Sequence, residues 1–423
     1  MSIFDKKIFM IALPCIFMLA VLTKPVLSEE IKYELFELIE LGIDQSLLLE
    51  TDRLQHQNVY SALLSSYYDF LPSATVSASR NLINDDIETA GFSLSKSISL
   101  NEPTYFNWRR ARIDWENAQY ELEENRKKTA FEIFRLYMMV LESRRRIEIQ
   151  KSNLDIQKKI FNQIELLYEQ QQRSLLDLKQ SEIALINAEI SYENAQIQHR
   201  QARENLFLYL NIEDNGYPLI EPDLALQEEE FEYQAPLELI KTENNLNRTK
   251  LSLRQTKLDF LPSLALSYHY NYRYPGPQNA ENIWDFREYK DSYTVSLTAS
   301  YSLLNPVEQR QVYYRSKRSF RAQELQYNYQ TANLEKTFMQ LTRAWDNEKR
   351  VFSLVEKRYE LAGDNLQMAQ ERFNLGIMSL LELDQAVSDY LEAEIDYSTR
   401  YYQLLIKQEE INLFLSRRIL DRW

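Results

Sequence analysis

From Thr104 to Asn215 the chain contains neither glycine nor proline, and from Val307 to Ala362 it contains none again. No other feature limits the possible folds as strongly, because these two residues are the usual helix breakers, and without them a helix has no local reason to stop. If the run from Pro103 to about Gln171 is a single helix, it is on the order of 100 Å long at 1.5 Å per residue. An ordinary globular core is only a fraction of that across. The whole chain of 423 residues has 6 Gly and 11 Pro, and its closest glycines, Gly363 and Gly376, are too far apart for a GxGxxG or GxxxxGK[ST] phosphate loop.

The chain is also written twice. Asp69-Phe70-Leu71-Pro72-Ser73 returns as Asp259-Phe260-Leu261-Pro262-Ser263. Ser93 to Leu100, with Pro103 beyond, is echoed by Ser296 to Leu303, with Pro306 beyond. Ser174-Leu175-Leu176-Asp177-Leu178 and Ala188-Glu189-Ile190-Ser191-Tyr192 are echoed by Ser379-Leu380-Leu381-Glu382-Leu383 and Ala393-Glu394-Ile395-Asp396-Tyr397. Co-linear echoes of this kind mean one duplicated unit, longer in its second copy between the first two echoes. The predicted division is a secretory signal over 1–28, a first repeat over 29–212, a linker over 213–235 and a second repeat over 236–423. The acidic run Glu228-Glu229-Glu230 in the linker reads as a solvated connector.

Each repeat combines two periodicities. Leu178, Ser181, Leu185, Ala188, Tyr192 and Ala195 step by three and four, as do Leu383, Ala386, Tyr390, Ala393 and Tyr397, which is a coiled-coil seam. Phe338, Leu341, Trp345, Phe352, Val355 and Tyr359 form a bulkier seam on the helix that precedes the latter. Long helical hairpins are therefore expected over 103–212 and 306–419. The second period is two. Leu264, Leu266, Tyr268 and Tyr270 alternate with Ser263, Ala265, Ser267 and His269, and Val295, Leu297 and Tyr301 alternate with Thr294, Ser296 and Ser300. Strands are expected near 73–80, 91–100, 263–274 and 292–304, with the greasy residues facing lipid and the small hydroxylated ones lining water. Lys96 interrupts the greasy face and fits there only by snorkelling. Four strands cannot close a barrel, and a lipid-exposed edge is forbidden, so several chains must complete the cylinder. Two chains would give a barrel filled by side chains, whereas three give twelve strands and room for a bore.

Composition removes other classes. Lys6-Lys7, an apolar core from Ile8 to Leu22 and Val26-Leu27-Ser28 read as a removed signal without lipidation, which predicts export. The only cysteine, Cys15, lies within it, and the histidines His56, His199 and His269 are scattered, so no metal site, thiol chemistry or other cofactor is expected. A net charge of -14 argues against nucleic acid as a partner. No clustered polar constellation points to an enzyme.

Taken in order, the two Asp-Phe-Leu-Pro-Ser segments, the Ser/Leu strands leading into Pro103 and Pro306, and Phe373-Asn374-Leu375-Gly376 followed by Ser379-Leu380-Leu381-Glu382-Leu383 resemble the TolC-like outer-membrane efflux protein family. The resemblance implies a mainly helical chain with a membrane β portion: a homotrimer whose 12-stranded barrel sits in the lipid of the Gram-negative outer membrane and continues as a periplasmic α-barrel. It implies an exit duct of a tripartite efflux or type I secretion system, partnered by a periplasmic adaptor (membrane fusion) protein and an inner-membrane transporter. It puts the periplasmic aperture at the hairpin tips, with Asp177 and Glu382 on the acidic sites, Gly376 on the tip glycine, Phe373 on an aromatic position and Asp384 one step from a second acid. Gln171 replaces the glycine of the first tip, and Met378 stands where some members carry a basic latch residue. Ser174-x-x-Asp177 and Ser379-x-x-Glu382 are also capping-box spacings, so the two carboxylates have a structural reading beside the pore reading. Tyr168 and Phe373 read as core more readily than as aperture. A competing class is an exported coiled-coil scaffold without channel activity.

Overall fold

The computed structural model describes residues 33–81, 86–99, 103–224, 226, 231–273, 290–301 and 306–421. The signal, the acidic run at 228–230, Asp85, and the loop from Pro275 with Trp284 and Phe286 lie outside the described residues. Seven α-helices and four strands follow in the order α1 (Leu35–Gln45), α2 (Leu47–Tyr68), β1 (Ser73–Asn81), β2 (Asp86–Ser99), α3 (Pro103–Glu169), α4 (Leu175–Leu210), α5 (Leu237–Leu258), β3 (Ser263–Arg273), β4 (Lys290–Ser300), α6 (Pro306–Asn374) and α7 (Leu380–Phe414). β2 begins at Asp86, ahead of the expected 91, and so continues the pairing with β1 into the segment between the two expected strands. Among the described residues no helix is long and apolar enough to cross a membrane.

α3 is 67 residues long and α6 is 69, the latter running through Gly363 without a break. A Cβ at this position would make only an ordinary contact, 3.5 Å from the ring of Tyr390 on α7. Around it the bulky seams read in the sequence meet. Phe352 stacks on Tyr397 at 5.4 Å, Tyr359 on Tyr397 at 5.2 Å and Tyr359 on Tyr390 at 5.7 Å. The α3–α4 seam is instead built on small buried residues, Ser181, Ala188 and Ala195. α3 also packs against α7, which leaves α4 and α6 as the outer helices of the layer towards the hairpin tips. On the strand side of the helices, α2 lies on α3 and α5 on α6.

The largest apolar core lies midway along the helices, where Leu38, Ile39, Ile133, Phe134, Leu141, Leu206 and Leu210 are buried together. The segment read as a linker is part of this body. Tyr33 pairs with Leu219 in a parallel bridge, and the hydroxyl of the fully buried Tyr137 donates to the carbonyls of both Tyr33 (3.0 Å) and Ile220 (2.5 Å). Phe231 packs edge-on against Trp345 at 6.0 Å. The reason is the usual one for a chain crossing a helix layer: its backbone groups need partners, and the helices, satisfied internally, can offer only side chains.

The strands form one antiparallel sheet in the order β1-β2-β3-β4. The two copies of the repeat are joined at β2 and β3, where Leu94 lies opposite Tyr270 and Ile98 opposite Leu266. β1 and β4 remain as open edges.

Candidate functional site: the hairpin tips and the strand wall

Both hairpins turn in the same way at their tips. At the end of α3 the amide of Gln171 donates to the Tyr168 carbonyl (2.9 Å) and that of Gln172 to Leu167 (2.8 Å). At the end of α6 Gly376 donates to Phe373 (3.0 Å) and Ile377 to Arg372 (3.0 Å). This is a Schellman closure, which requires a left-handed residue just past the helix. Gly376 supplies it at φ 72°, and Gln171, a residue with a Cβ, adopts the same conformation at φ 61°.

The chain re-enters a helix within a few residues. Ser174 Oγ accepts from the Asp177 amide (3.1 Å) while the Asp177 carboxylate accepts from the Ser174 amide (3.1 Å) and hydroxyl (2.9 Å). Ser379 and Glu382 repeat the pattern at 3.3, 2.9 and 2.7 Å. Each is a complete capping box. The backbone amide and the hydroxyl of Ser379 hold the exposed Glu382 carboxyl below the usual carboxylate range. The Glu382 carboxylate remains exposed at its tip and Asp177 is half-buried, so capping leaves both in contact with solvent.

The structure separates the remaining tip residues. Phe373 is only 3% exposed, buried with Ile160, Ile164, Leu366 and Leu383, while the Arg173 guanidinium of the other hairpin sits 5.3 Å from its ring centre. It therefore joins the two tips from inside and does not reach a surface. Tyr168, read as core, is instead exposed. Met378 packs onto the same apolar cluster. Asp384 turns towards α3, where Gln157 hydrogen-bonds it, and burial pushes its carboxyl up. Its Oδ1 and Gln157 Oε1 have no partner. Asp177 and Glu382 thus face out, whereas Asp384 faces the inter-helix seam. Sequence reading did not single out Leu175, Leu176, Leu375, Ile377 and Leu381, which stand exposed around the capping boxes. Their signal was available, because apolar residues on both sides of a turn glycine have no helix seam to enter.

The sheet forms the other part of the site. Leu264, Leu266 and Tyr268 on β3 lie beside Ala299, Leu297 and Val295 on β4, and Tyr270 lies beside Tyr293, so the period-two residues share one face; Tyr301 follows just beyond β4. On the opposite face hydroxyls pair across strands: Ser73 with Ser95 at 2.8 Å, Thr75 with Ser93 at 2.7 Å, Ser263 with Ser300 at 2.6 Å and Ser267 with Ser296 at 2.6 Å. Lys96 resolves its position on the greasy face by reaching to the Asp69 carbonyl at the foot of β1 (2.6 Å). Among the described residues no group of three or more His, Cys, Asp and Glu side chains is placed to hold a metal ion.

Residues 236–416 match the family described as outer membrane efflux protein, a segment that starts where the second copy starts. Over this second copy the chain is similar to the outer membrane efflux proteins. No curated protein matches it in sequence. The fold is that of solved structures across this group. A membrane protein from Pseudomonas aeruginosa is 14% identical, with a TM-score of 0.77 over 92% of this chain and 91% of that one. The CmeC outer membrane channel of Campylobacter jejuni is 13% identical, with a TM-score of 0.72 over 92% and 87%. The MtrE outer membrane channel of Neisseria gonorrhoeae in its open state is 14% identical, with a TM-score of 0.73 over 91% and 89%.

Proposed function

We propose that three copies of the chain form a continuous exit duct, a 12-stranded barrel in the outer membrane prolonged by an α-barrel into the periplasm. The observation that carries this reading is a pair of unpartnered stripes on the two outer helices. On α4, Ile183, Ile190 and Ile197 are exposed at steps of seven. On α6, Met368, Leu361 and Leu354 are exposed at the same step. Counted from the tip end of each helix at 1.5 Å per residue, the first set stands at roughly 12, 22 and 33 Å and the second at roughly 9, 20 and 30 Å. The α4 stripe of one copy thus meets the α6 stripe of the next at matching heights, antiparallel, as heptad seams pack. The sheet asks for the same operation, since β1 and β4 carry open backbone edges that lipid cannot satisfy. A head-to-tail contact that closes after three copies satisfies both.

In that arrangement the greasy strand residues face lipid and the hydroxyl ladder lines the bore. The tips form the periplasmic aperture, where three copies of Asp177 and Glu382 place six carboxylates around one constriction and favour cations. Asp384, Phe373 and Gly376 serve that aperture from within: Gly376 turns the chain, Phe373 locks the hairpins together, and Asp384 weakens the α3–α7 seam beside it. The exposed leucines of the tip form the surface on which a periplasmic adaptor docks and links the duct to an inner-membrane transporter. The reading is that of a passive conduit for efflux or type I secretion.

The test is single-channel recording of the detergent-extracted protein in a planar bilayer, with its mass measured in parallel. A trimer whose conductance rises, or whose cation preference falls, in an Asp177→Asn/Glu382→Gln variant is the expected result. A protein that leaves membranes with salt alone and conducts nothing overturns the duct. A variant that loses stability but keeps its conductance and selectivity restricts the two carboxylates to helix capping.

A further inference from the structure

Most arginines and lysines near the middle of the helix layer are spoken for. Arg144 is paired with Glu221, Arg145 with Glu394, and Arg400 and Lys407 both with Glu348. The strand-side end of the second repeat is different. Arg254 and Lys257 in the last two turns of α5, and Arg310, Arg315, Lys317 and Arg318 in the first four turns of α6, are all exposed, and none has an ion-pair partner among the described residues. The equivalent stretch of the first repeat does not share this. There Arg110 bonds Gln255 and Asn107, Arg112 pairs with Glu116, and Arg109 lies 6.0 Å from the Trp108 ring centre. A chain carrying a net charge of -14 has therefore concentrated uncompensated positive charge at one level and in one repeat.

That level is next to the sheet. α5 leads through Pro262 into β3, and β4 leads through Pro306 into α6. At 1.5 Å per residue Arg310 lies roughly 6 Å, and Arg318 roughly 18 Å, from the start of α6. An aromatic group sits at the level of the cations. Leu261 is exposed at the foot of β3, and Tyr313 packs edge-on to Phe260 at 5.9 Å and against Tyr314, whose side chain is exposed. Apolar strands thus give way to a level that mixes aromatic rings with cations, as hydrocarbon gives way to the headgroup region. In the proposed ring the next copy meets α6 here with α2, whose residues from Gln57 to Tyr68 carry no acidic side chain; the acids at this level are its cap Asp69, together with Asp259 and Glu308 beside the cations, three against six, so the patch stays positive on assembly.

We propose that this basic patch binds the headgroups of anionic phospholipids in the periplasmic leaflet of the outer membrane, once per chain. The inference rests on the membrane reading above. Arg254, Lys257 and Arg310 lie within about 6 Å of the strand-side helix ends and so within a screening length of the headgroups, where each cation strengthens binding about five-fold and salt erodes that gain.

The test uses the full chain in a neutral detergent, titrated with short-chain phosphatidylglycerol or phosphatidylcholine. Saturable, salt-sensitive binding of phosphatidylglycerol alone is expected. An Arg254→Gln/Lys257→Gln/Arg310→Gln variant, altered only at exposed positions, should bind it on the order of ten-fold or more weakly. A Lys151→Gln/Lys158→Gln control, with exposed lysines roughly 70 Å along α3 from its strand-side end, should bind it as the parent does. Equal affinity for the two lipids, or an unchanged triple variant, overturns the proposal. So does a triple variant that keeps its phosphatidylglycerol affinity but shifts anion selectivity in a phosphatidylcholine bilayer, because the cations then line the bore. A protein that conducts as a trimer yet ignores lipid charge refutes the patch and leaves the duct standing. A protein that needs no detergent and binds neither lipid refutes the membrane reading itself.

Discussion

The two tips differ at one atom group in a way that can be measured. Gln171 at φ 61° and Gly376 at φ 72° close the same turn, yet only glycine reaches this region without a clash between Cβ and the backbone. That clash costs about 1–2 kcal/mol for an L residue. Replacing Gln171 by glycine removes it but also widens the unfolded ensemble, which returns about 0.4–1 kcal/mol. The net expectation for Gln171→Gly is a first tip stabilised by about 0.5–1 kcal/mol, or a two- to five-fold smaller local opening constant. The reciprocal change isolates the same quantity, because a Cβ at Gly376 meets nothing within 4 Å, so Gly376→Ala has only the backbone cost. Hydrogen exchange of the closing amides reports it directly: Gln171 and Gln172 should become more protected in the first variant, and Gly376→Ala should reduce protection of Ile377. Unchanged protection in both variants would show that the turn is set by packing on Phe373 and Met378 and that φ strain has no part in it.

Tyr137→Phe leaves the Ile220 carbonyl without its 2.5 Å donor in a buried site and should cost about 1–3 kcal/mol, read as a lower melting temperature with unchanged helix content. Ser379→Ala removes half of the second capping box and should lower stability of that tip by about 1 kcal/mol, visible as faster exchange in the first turn of α7. Asp384 and Glu382 should give opposite pH dependences. Burial raises the Asp384 carboxyl, so its contribution is fully present below its unfolded value and is lost as pH rises through the higher folded one; Asp384→Asn should abolish that slope. Hydrogen bonds lower the Glu382 carboxyl, so its contribution is present above the unfolded value and fades as pH falls through the lower folded one, and denaturant titrations of Glu382→Gln between pH 3 and 7, a range of about four units around the carboxylate values, should lack it.

What could be read from the sequence was local or periodic. The duplication, the long breaker-free helices and the period-two strands each depend on residues close together in the chain, and the Ser-x-x-acid spacings of the tips are of the same kind. What could not be read depends on tertiary neighbours. Asp384 follows the seam residue Leu383 by one step, and heptad counting alone does not say that Gln157 of a distant helix is waiting for it. Phe373 has the same limitation, since its burial depends on Arg173 and Ile164 from the other hairpin. The supposed linker looked like a connector because its only strong local signal was charge, whereas Leu219 and Phe231 are held by groups on α3 and α6.

The duplication has survived as backbone geometry more faithfully than as side chains. Left-handed closures at Gln171 and Asn211 recur at Gly376 and Ser416, each pair at the spacing of the third sequence echo, with three different residue types beside the single glycine. Hydrogen-bond closure of the helix ends therefore dictates the turn, and glycine only makes it cheaper. The seams have diverged only in part. Ser181 and Ala188 of the first hairpin have equally small buried counterparts in Ala386 and Ala393 of the second, whereas the stack of Tyr359, Tyr390 and Tyr397 lies in the second. Close approach of the helices depends on small residues at the contact, so those positions are kept while the bulkier ones beside them are free to change.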